Sequence, residues 1–137
     1  RNYGPGQSRK QLTRIVNINI LLGREMMIRD LEQLLQTQVL SGRDRLQTPV
    51  QGVLVSDILS DVMAKAGQGW LWVTHQNTVN VIAIAFFKGL AGVILPDRLQ
   101  LRDDALAKAV EKEIPVLSSD LSAYQVIGVL YKMGLKG

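Results

Sequence analysis

The sequence predicts an α/β fold, a three-layer, mostly parallel open sheet of about five strands with helices on both faces. Two observations carry it. Between Val50 and Lys132 a short apolar run followed by an amphipathic helical pattern occurs four times in succession, the alternation expected of parallel βα units. The four runs are Val53-Leu54-Val55, Leu71-Trp72-Val73, Gly92-Val93-Ile94-Leu95 and Pro115-Val116-Leu117. Each ends in polar residues, at Ser56-Asp57, Thr74-His75-Gln76-Asn77, Pro96-Asp97 and Ser118-Ser119-Asp120. In an open parallel sheet such ends share one edge, and ligands bind outside it. The pattern therefore places a candidate site without identifying its ligand.

Residues 1–25 read differently from the body. Gly4-Pro5-Gly6-Gln7-Ser8 is rich in breakers, Arg9–Arg14 is basic, and Ile15–Leu22 is strand-like. This is a basic N-terminal extension, read as upstream sequence appended to a folded body over 26–137, with Met26-Met27 a natural start. The alternative is an arm whose Ile15–Leu22 run pairs with a sheet edge or another chain.

In the body, Ile28, Leu31, Leu34 and Leu35 recur at helical spacing, with Asp30 and Glu32 in the first turn where the helix dipole favours them. Gln38-Val39-Leu40 reads as a short strand, closed by Ser41-Gly42-Arg43-Asp44. Val50–Val55 is mostly apolar, as in a strand buried on both faces. Ser56-Asp57 is placed to cap a helix whose stripe is Ile58, Leu59, Val62 and Met63, ended by Gly67-Gln68-Gly69. After Trp70–Thr74, Asn77 or Thr78 caps a helix to Phe87 that is apolar nearly all round. Such a helix must be covered on more than one face, by its own domain or by a second copy. Trp70 and Trp72 share a face of their strand, in the core or an interface. Leu101–Glu113 is the most regular amphipathic helix, with Asp103 and Asp104 early and Lys108 and Lys112 late. Ser119 is placed to cap the last helix, where Ala123, Val126, Ile127, Leu130 and Tyr131 form one stripe up to Gly134.

Composition excludes more than it selects. In 137 residues, 47% hydrophobic and 20% charged side chains describe one globular domain with a core rather than a disordered chain. The absence of cysteine removes disulfides, thiolate nucleophiles and cysteine-ligated metals, and a single histidine removes His-rich metal sites. The net charge of +4 resides wholly in residues 1–26, and the remainder is balanced, which argues against a nucleic-acid face on the body. Apolar runs fall far short of the roughly 20 residues a membrane span needs. No small-residue cleavage site follows the basic N-terminus, so a cytoplasmic protein is expected.

No GxxxxGK[ST], GxGxxG, GxSxG or HExxH motif is present, which argues against nucleotide hydrolysis, kinase and dinucleotide redox chemistry. His75, of the residue type that titrates nearest neutrality, falls at a strand end beside Thr74, Gln76 and Asn77. It could act as a base there, with Asp97 or Asp57 as its partner in an enzyme, or with Asn77 it could simply satisfy the turn. Asp57, Asp97 and Asp120 also follow strands, as an acidic cluster able to hold Mg²⁺ or as caps and turn residues. Hydroxyls and helix-terminal amides at Ser56, Thr74, Thr78, Ser118 and Ser119 would form an anion site if they converge.

The segments Gln51-Gly52-Val53-Leu54-Val55-Ser56-Asp57, Ser60-Asp61-Val62-Met63, Gly69-Trp70-Leu71-Trp72-Val73-Thr74, Ala91-Gly92-Val93-Ile94-Leu95 and the run Glu113–Tyr124 resemble the DRTGG domain in order and type. The resemblance covers roughly residues 28–133. DRTGG domains occur alone, in phosphotransacetylases, and between CBS domains of regulated inorganic pyrophosphatases. Their fold is similar to the N-terminal domain of HPr kinase/phosphorylase, and stand-alone copies often accompany iron-only hydrogenase subunits. The sequence departs from the family where many members carry a Gly-Asp-Arg turn and it has His75-Gln76-Asn77. Leu95-Pro96-Asp97 likewise stands for a glycine-rich turn. A kinase activity is rejected independently, because the phosphate loop is absent.

The resemblance implies a non-catalytic regulatory or sensor module. Its candidate ligand-binding residues are Ser56, Asp57, Thr74, His75, Asn77, Asp97, Ser118 and Ser119, for an anionic metabolite or nucleotide. No cofactor or metal is required; an adenine nucleotide or Mg²⁺ is compatible. A homodimer is expected from the apolar helix and the tryptophans, with a partner enzyme possible and neither nucleic acid nor membrane involved. The alternative is a protein-interaction accessory subunit, of the iron-only hydrogenase type, that binds no ligand.

Overall fold

A computed structural model of the chain describes residues 25–137. The extension over 1–25 therefore lies, apart from Glu25, outside the described residues. The first helix, α1 (Ile28–Leu34), is followed by β1 (Thr37–Ser41) and a single 3-10 turn at Arg43–Arg45. Then come β2 (Gly52–Val55), α2 (Leu59–Lys65), β3 (Trp70–Val73), α3 (Val79–Lys88), β4 (Gly92–Leu95), α4 (Asp103–Lys112), β5 (Val116–Ser119) and α5 (Ala123–Lys132).

The five strands form one sheet in the order β1-β5-β4-β3-β2. The four strands β2 to β5 are parallel, as the βα repeat predicts, and β1 joins the β5 edge antiparallel with a bulge between Val39 and Ser41. Alternation along the strands sorts side chains into two layers. Leu71 and Val73 of β3, Ile94 of β4 and Leu117 of β5 pack with Ile28, Leu31 and Leu34 of α1 and Val126 and Leu130 of α5. Trp72, Val93, Leu95 and Val116 face the other way, against Val62 of α2, Val81, Ile82 and Ala85 of α3, and Ala105 and Ala109 of α4. The sheet is covered on both faces, which explains why its central strands read as continuous apolar runs.

Gly42 shows why the chain turns where it does after β1. It has φ +74, and a Cβ there would lie 2.4 Å from the Pro115 nitrogen. Only glycine lets this turn pass so close to the start of β5.

Several expectations are corrected. The strand expected at Pro115–Leu117 lies at Val116–Ser119, because Gln38 and Thr37 of β1 pair with Ser118 and Ser119 and extend it. The last helix is capped by Ser122 instead, whose Oγ accepts the Gln125 N–H at 3.2 Å. Neither Ser56 nor Asp57 is the N-cap of α2. That position is Ile58, and Ser56 Oγ accepts the Ile58 N–H at 3.0 Å. Of the stripe predicted for α2, only Val62 is fully buried, while Ile58 and Met63 are exposed. The reason is position: α2 flanks β2, the edge strand, where the sheet offers less surface to cover. The apolar α3 buries Val81, Ile82 and Ala85 and leaves Phe86 and Phe87 in the open. Trp72 is fully buried in the core.

Candidate functional site at the strand ends

Parallel strands deliver the turns after β2, β3 and β4 to one edge, and a hydrogen-bond relay joins them. Oδ1 of Asp57, after β2, accepts the Thr74 hydroxyl at 2.8 Å and the His75 backbone N–H at 2.7 Å. The Thr74 hydroxyl oxygen in turn accepts the Gln76 N–H at 3.1 Å, and the Gln76 side-chain amide donates to the Asp57 carbonyl at 3.1 Å. Below them the Trp72 indole N–H donates to the Ser56 carbonyl at 2.8 Å.

The imidazole of His75 stands between two carboxylates. Nε2 lies 3.2 Å from Oδ2 of Asp97, and Nδ1 lies 3.6 Å from Oδ2 of Asp57. Asp97 and Arg98 are consecutive non-glycine residues at φ 58, in a turn where the Leu99 N–H donates to the Pro96 carbonyl at 3.1 Å. Carbonyls of Leu121 and Ser119 accept the Asp97 and Arg98 N–H groups at 2.8 and 2.7 Å, fixing the turn to the end of β5. Arg98 Nε then meets Oδ1 of Asp120 at 3.1 Å. Partial burial pushes the Asp57 carboxyl up, but the His75 N–H, the Thr74 hydroxyl and the neighbouring imidazole outweigh it and hold Asp57 below the usual carboxylate range.

The eight predicted residues fall into two groups. Ser56, Asp57, His75, Asn77 and Asp97 present polar atoms at the rim. Thr74, Ser118 and Ser119 are buried, and their hydroxyls are engaged within the protein. Ser118 donates to the Leu99 carbonyl at 2.7 Å, and Ser119 donates to the Leu35 carbonyl while accepting the Leu121 N–H at 3.0 Å. Asn77 donates to the Gln100 carbonyl at 2.9 Å, and its own carbonyl accepts the Arg102 N–H at 3.1 Å, pinning the β3–α3 turn to the β4–α4 loop.

Asp120 pairs with Arg98 rather than joining Asp57 and Asp97, and among the described residues no group of three histidines or carboxylates is placed to hold a metal ion. Sequence reasoning missed Gln76, Arg98 and Gln100. All three sit in the same loops, but side-chain amides and a loop arginine carry no spacing signal. At the rim the start of α3 is open: its N-cap Thr78 makes no side-chain cap hydrogen bond, and no acidic residue occupies its first turn. Among the described residues no helix is long and apolar enough to cross a membrane.

No protein-family model matches the chain, and no curated protein does. Among solved structures, it is similar to the CBS and DRTGG domains of the regulatory region of a Clostridium perfringens pyrophosphatase, determined in complex with the activator diadenosine tetraphosphate. The TM-score is 0.61 at 10% sequence identity, over 74% of this chain and 44% of that one. The chain thus spans less than half the length of this neighbour, and the likeness is one of fold.

Proposed function

We propose that this chain is a non-catalytic regulatory module of the DRTGG type that binds a small ligand at the carboxyl ends of β2, β3 and β4. The observation that carries the reading is the exposed Asp57–His75–Asp97 constellation at the edge where open α/β sheets take ligands. The nearest titratable groups are two carboxylates and an imidazole, flanked by the Gln76 and Asn77 amides, Arg98 and the uncapped start of α3. A nucleotide suits such a mixed rim, its base amino group donating to a carboxylate and its phosphate meeting the helix start and arginine. The regulatory, nucleotide-bound state of the pyrophosphatase region supports the same class of ligand. The β3–α3 turn reads His75-Gln76-Asn77 where many DRTGG members carry Gly-Asp-Arg, so the contacts of that turn are this chain's own.

The test is a thermal-shift panel of adenine nucleotides, diadenosine tetraphosphate, acetyl phosphate, inorganic phosphate and Mg²⁺, repeated on Asn77→Ala and Asp97→Ala. A ligand at 100 times its Kd adds about 2.7 kcal/mol, a shift of several degrees in a domain of this size. A shift abolished by the substitutions supports the reading; a flat panel, or shifts that survive both, contradicts it.

The module is proposed to act as a homodimer through α3, whose Phe86 and Phe87 are exposed, as are Leu106 and Val110 of α4, the helix packed beside it. One observation favours a second reading, that of a protein-interaction subunit. Along α5 runs an open groove of about 520 Å³, lined by Leu34, Leu121, Tyr124, Ile127, Gly128 and Tyr131. Leu121 to Tyr131 includes no charged residue, although Tyr124 and Tyr131 are 86% and 82% exposed. Lys132 is the one charged residue in the groove lining, and exposed, largely apolar faces of this kind mark contact surfaces.

A further inference from the structure

The chain's one histidine is held by carboxylates from two different loops, and the proton count of that arrangement is restrictive. A neutral imidazole has one N–H and one lone pair. It can donate to Asp97 or to Asp57, and its other nitrogen then directs a lone pair at an anion 3.6 or 3.2 Å away. A neutral ring protonated on Nε2 keeps the 3.2 Å hydrogen bond to Asp97 but turns a lone pair toward Asp57, whereas the doubly protonated ring makes that hydrogen bond and is also attracted to Asp57 at 3.6 Å. We propose that His75 is a proton-operated latch: with both nitrogens protonated its ring bridges the Asp57 and Asp97 carboxylates, and when one proton leaves to solvent it gives up one of those two side-chain contacts, leaving the ring-independent hydrogen bonds between the loops in place.

Both carboxylates are set in place by contacts other than the ring. Asp57 is oriented through Oδ1 by the Thr74 hydroxyl and the His75 N–H, leaving Oδ2 toward the imidazole. Asp97 is the first of two consecutive left-handed residues, a conformation uncommon outside glycine, and the Leu121 and Ser119 carbonyls anchor that turn. The remaining charges on the adjoining loops are directed elsewhere or stand apart. Arg98 meets Asp120 at 3.1 Å, Asp104 Oδ1 accepts the Ala105 N–H at 2.8 Å, Asp61 pairs with Lys65, and Arg102 and Asp103 are exposed at the start of α4. The His75 side chain is 46% exposed, so water can exchange protons with it directly.

The latch is a property of the ligand-free chain; only its consequence, proton-linked ligand entry, rests on the proposed function. It is therefore tested without ligand. NMR across a pH series follows protonation of the His75 ring nitrogens and, in the same samples, exchange of the His75 and Gln76 backbone amides, corrected for intrinsic pH dependence. Protection of these amides is expected to fall about two- to tenfold, the worth of one net hydrogen bond, in a step that coincides with loss of the ring proton. The step is expected to vanish in His75→Gln and in Asp97→Asn, the latter keeping a residue that tolerates the left-handed turn. Protection that is indifferent to the ring proton, or an unchanged step in Asp97→Asn, would overturn the latch. That result would leave the ligand panel unaffected.

Discussion

Oδ1 of Asp57 accepts the hydroxyl of Thr74 at 2.8 Å, a contact between residues 17 positions apart that joins the ends of β2 and β3. The same hydroxyl oxygen receives the Gln76 N–H, so one buried threonine joins two of the three loops from which the candidate site is built.

Thr74→Val keeps the shape of that side chain and removes its hydroxyl. The Gln76 N–H loses its acceptor and Asp57 loses a donor, so the variant is expected to be less stable by about 1–3 kcal/mol in denaturant unfolding. A value near zero would mean that water replaces the hydroxyl without loss.

The pH dependence of Asp57 has a definite sign. Its folded-state pKa is depressed, so its contribution is present above the unfolded carboxylate pKa and is lost as pH falls through the folded value. Asp57→Asn is therefore expected to be less stable than the parent at neutral pH. Because the side chain is half exposed, solvent screening limits the gap to about 0.5–1 kcal/mol. The two unfolding curves should converge on acidification; a gap that persists at low pH would assign the effect to shape rather than charge.

Much of this was legible in the sequence, and the boundary follows from physics. Short apolar runs separated by helical patterns disclose a parallel sheet, and polar residues after each run mark the edge where a candidate site is expected. Burial of Ser118 and Ser119 was hidden because it depends on β1 pairing across β5, a contact far away in sequence. The exposure of Ile58 and Met63 was hidden likewise, since periodicity shows which face of a helix is apolar but not whether the sheet extends beneath it. His75 stood out by its type, with Asp97 or Asp57 as its partner; that both carboxylates would meet its ring at once depended on the left-handed turn at Asp97, where no glycine marks the positive φ.

Two glycines give opposite expectations. Gly42→Ala forces a Cβ against the Ile114–Pro115 backbone at φ +74 and should cost at least about 2 kcal/mol. Gly128 lies inside α5, and a Cβ added there would meet nothing within 4 Å, so Gly128→Ala should stabilise the chain by up to about 1 kcal/mol. Thermal unfolding of both variants checks the pair.

For the proposed dimer, Phe87→Glu places a charge on a residue 74% exposed in the single chain. Sedimentation should find a dimer for the parent and for Tyr131→Glu, and a monomer for Phe87→Glu. Dimers in all three would move the interface away from α3.

Whether a ligand sits at the strand ends is decided by amide NMR titration with diadenosine tetraphosphate and adenine nucleotides. Perturbations are expected to concentrate at residues 56–57, 74–77 and 97–98 and to disappear in Asp97→Ala. Perturbations confined to the α5 groove, or none with any of these ligands, would contradict a strand-end site.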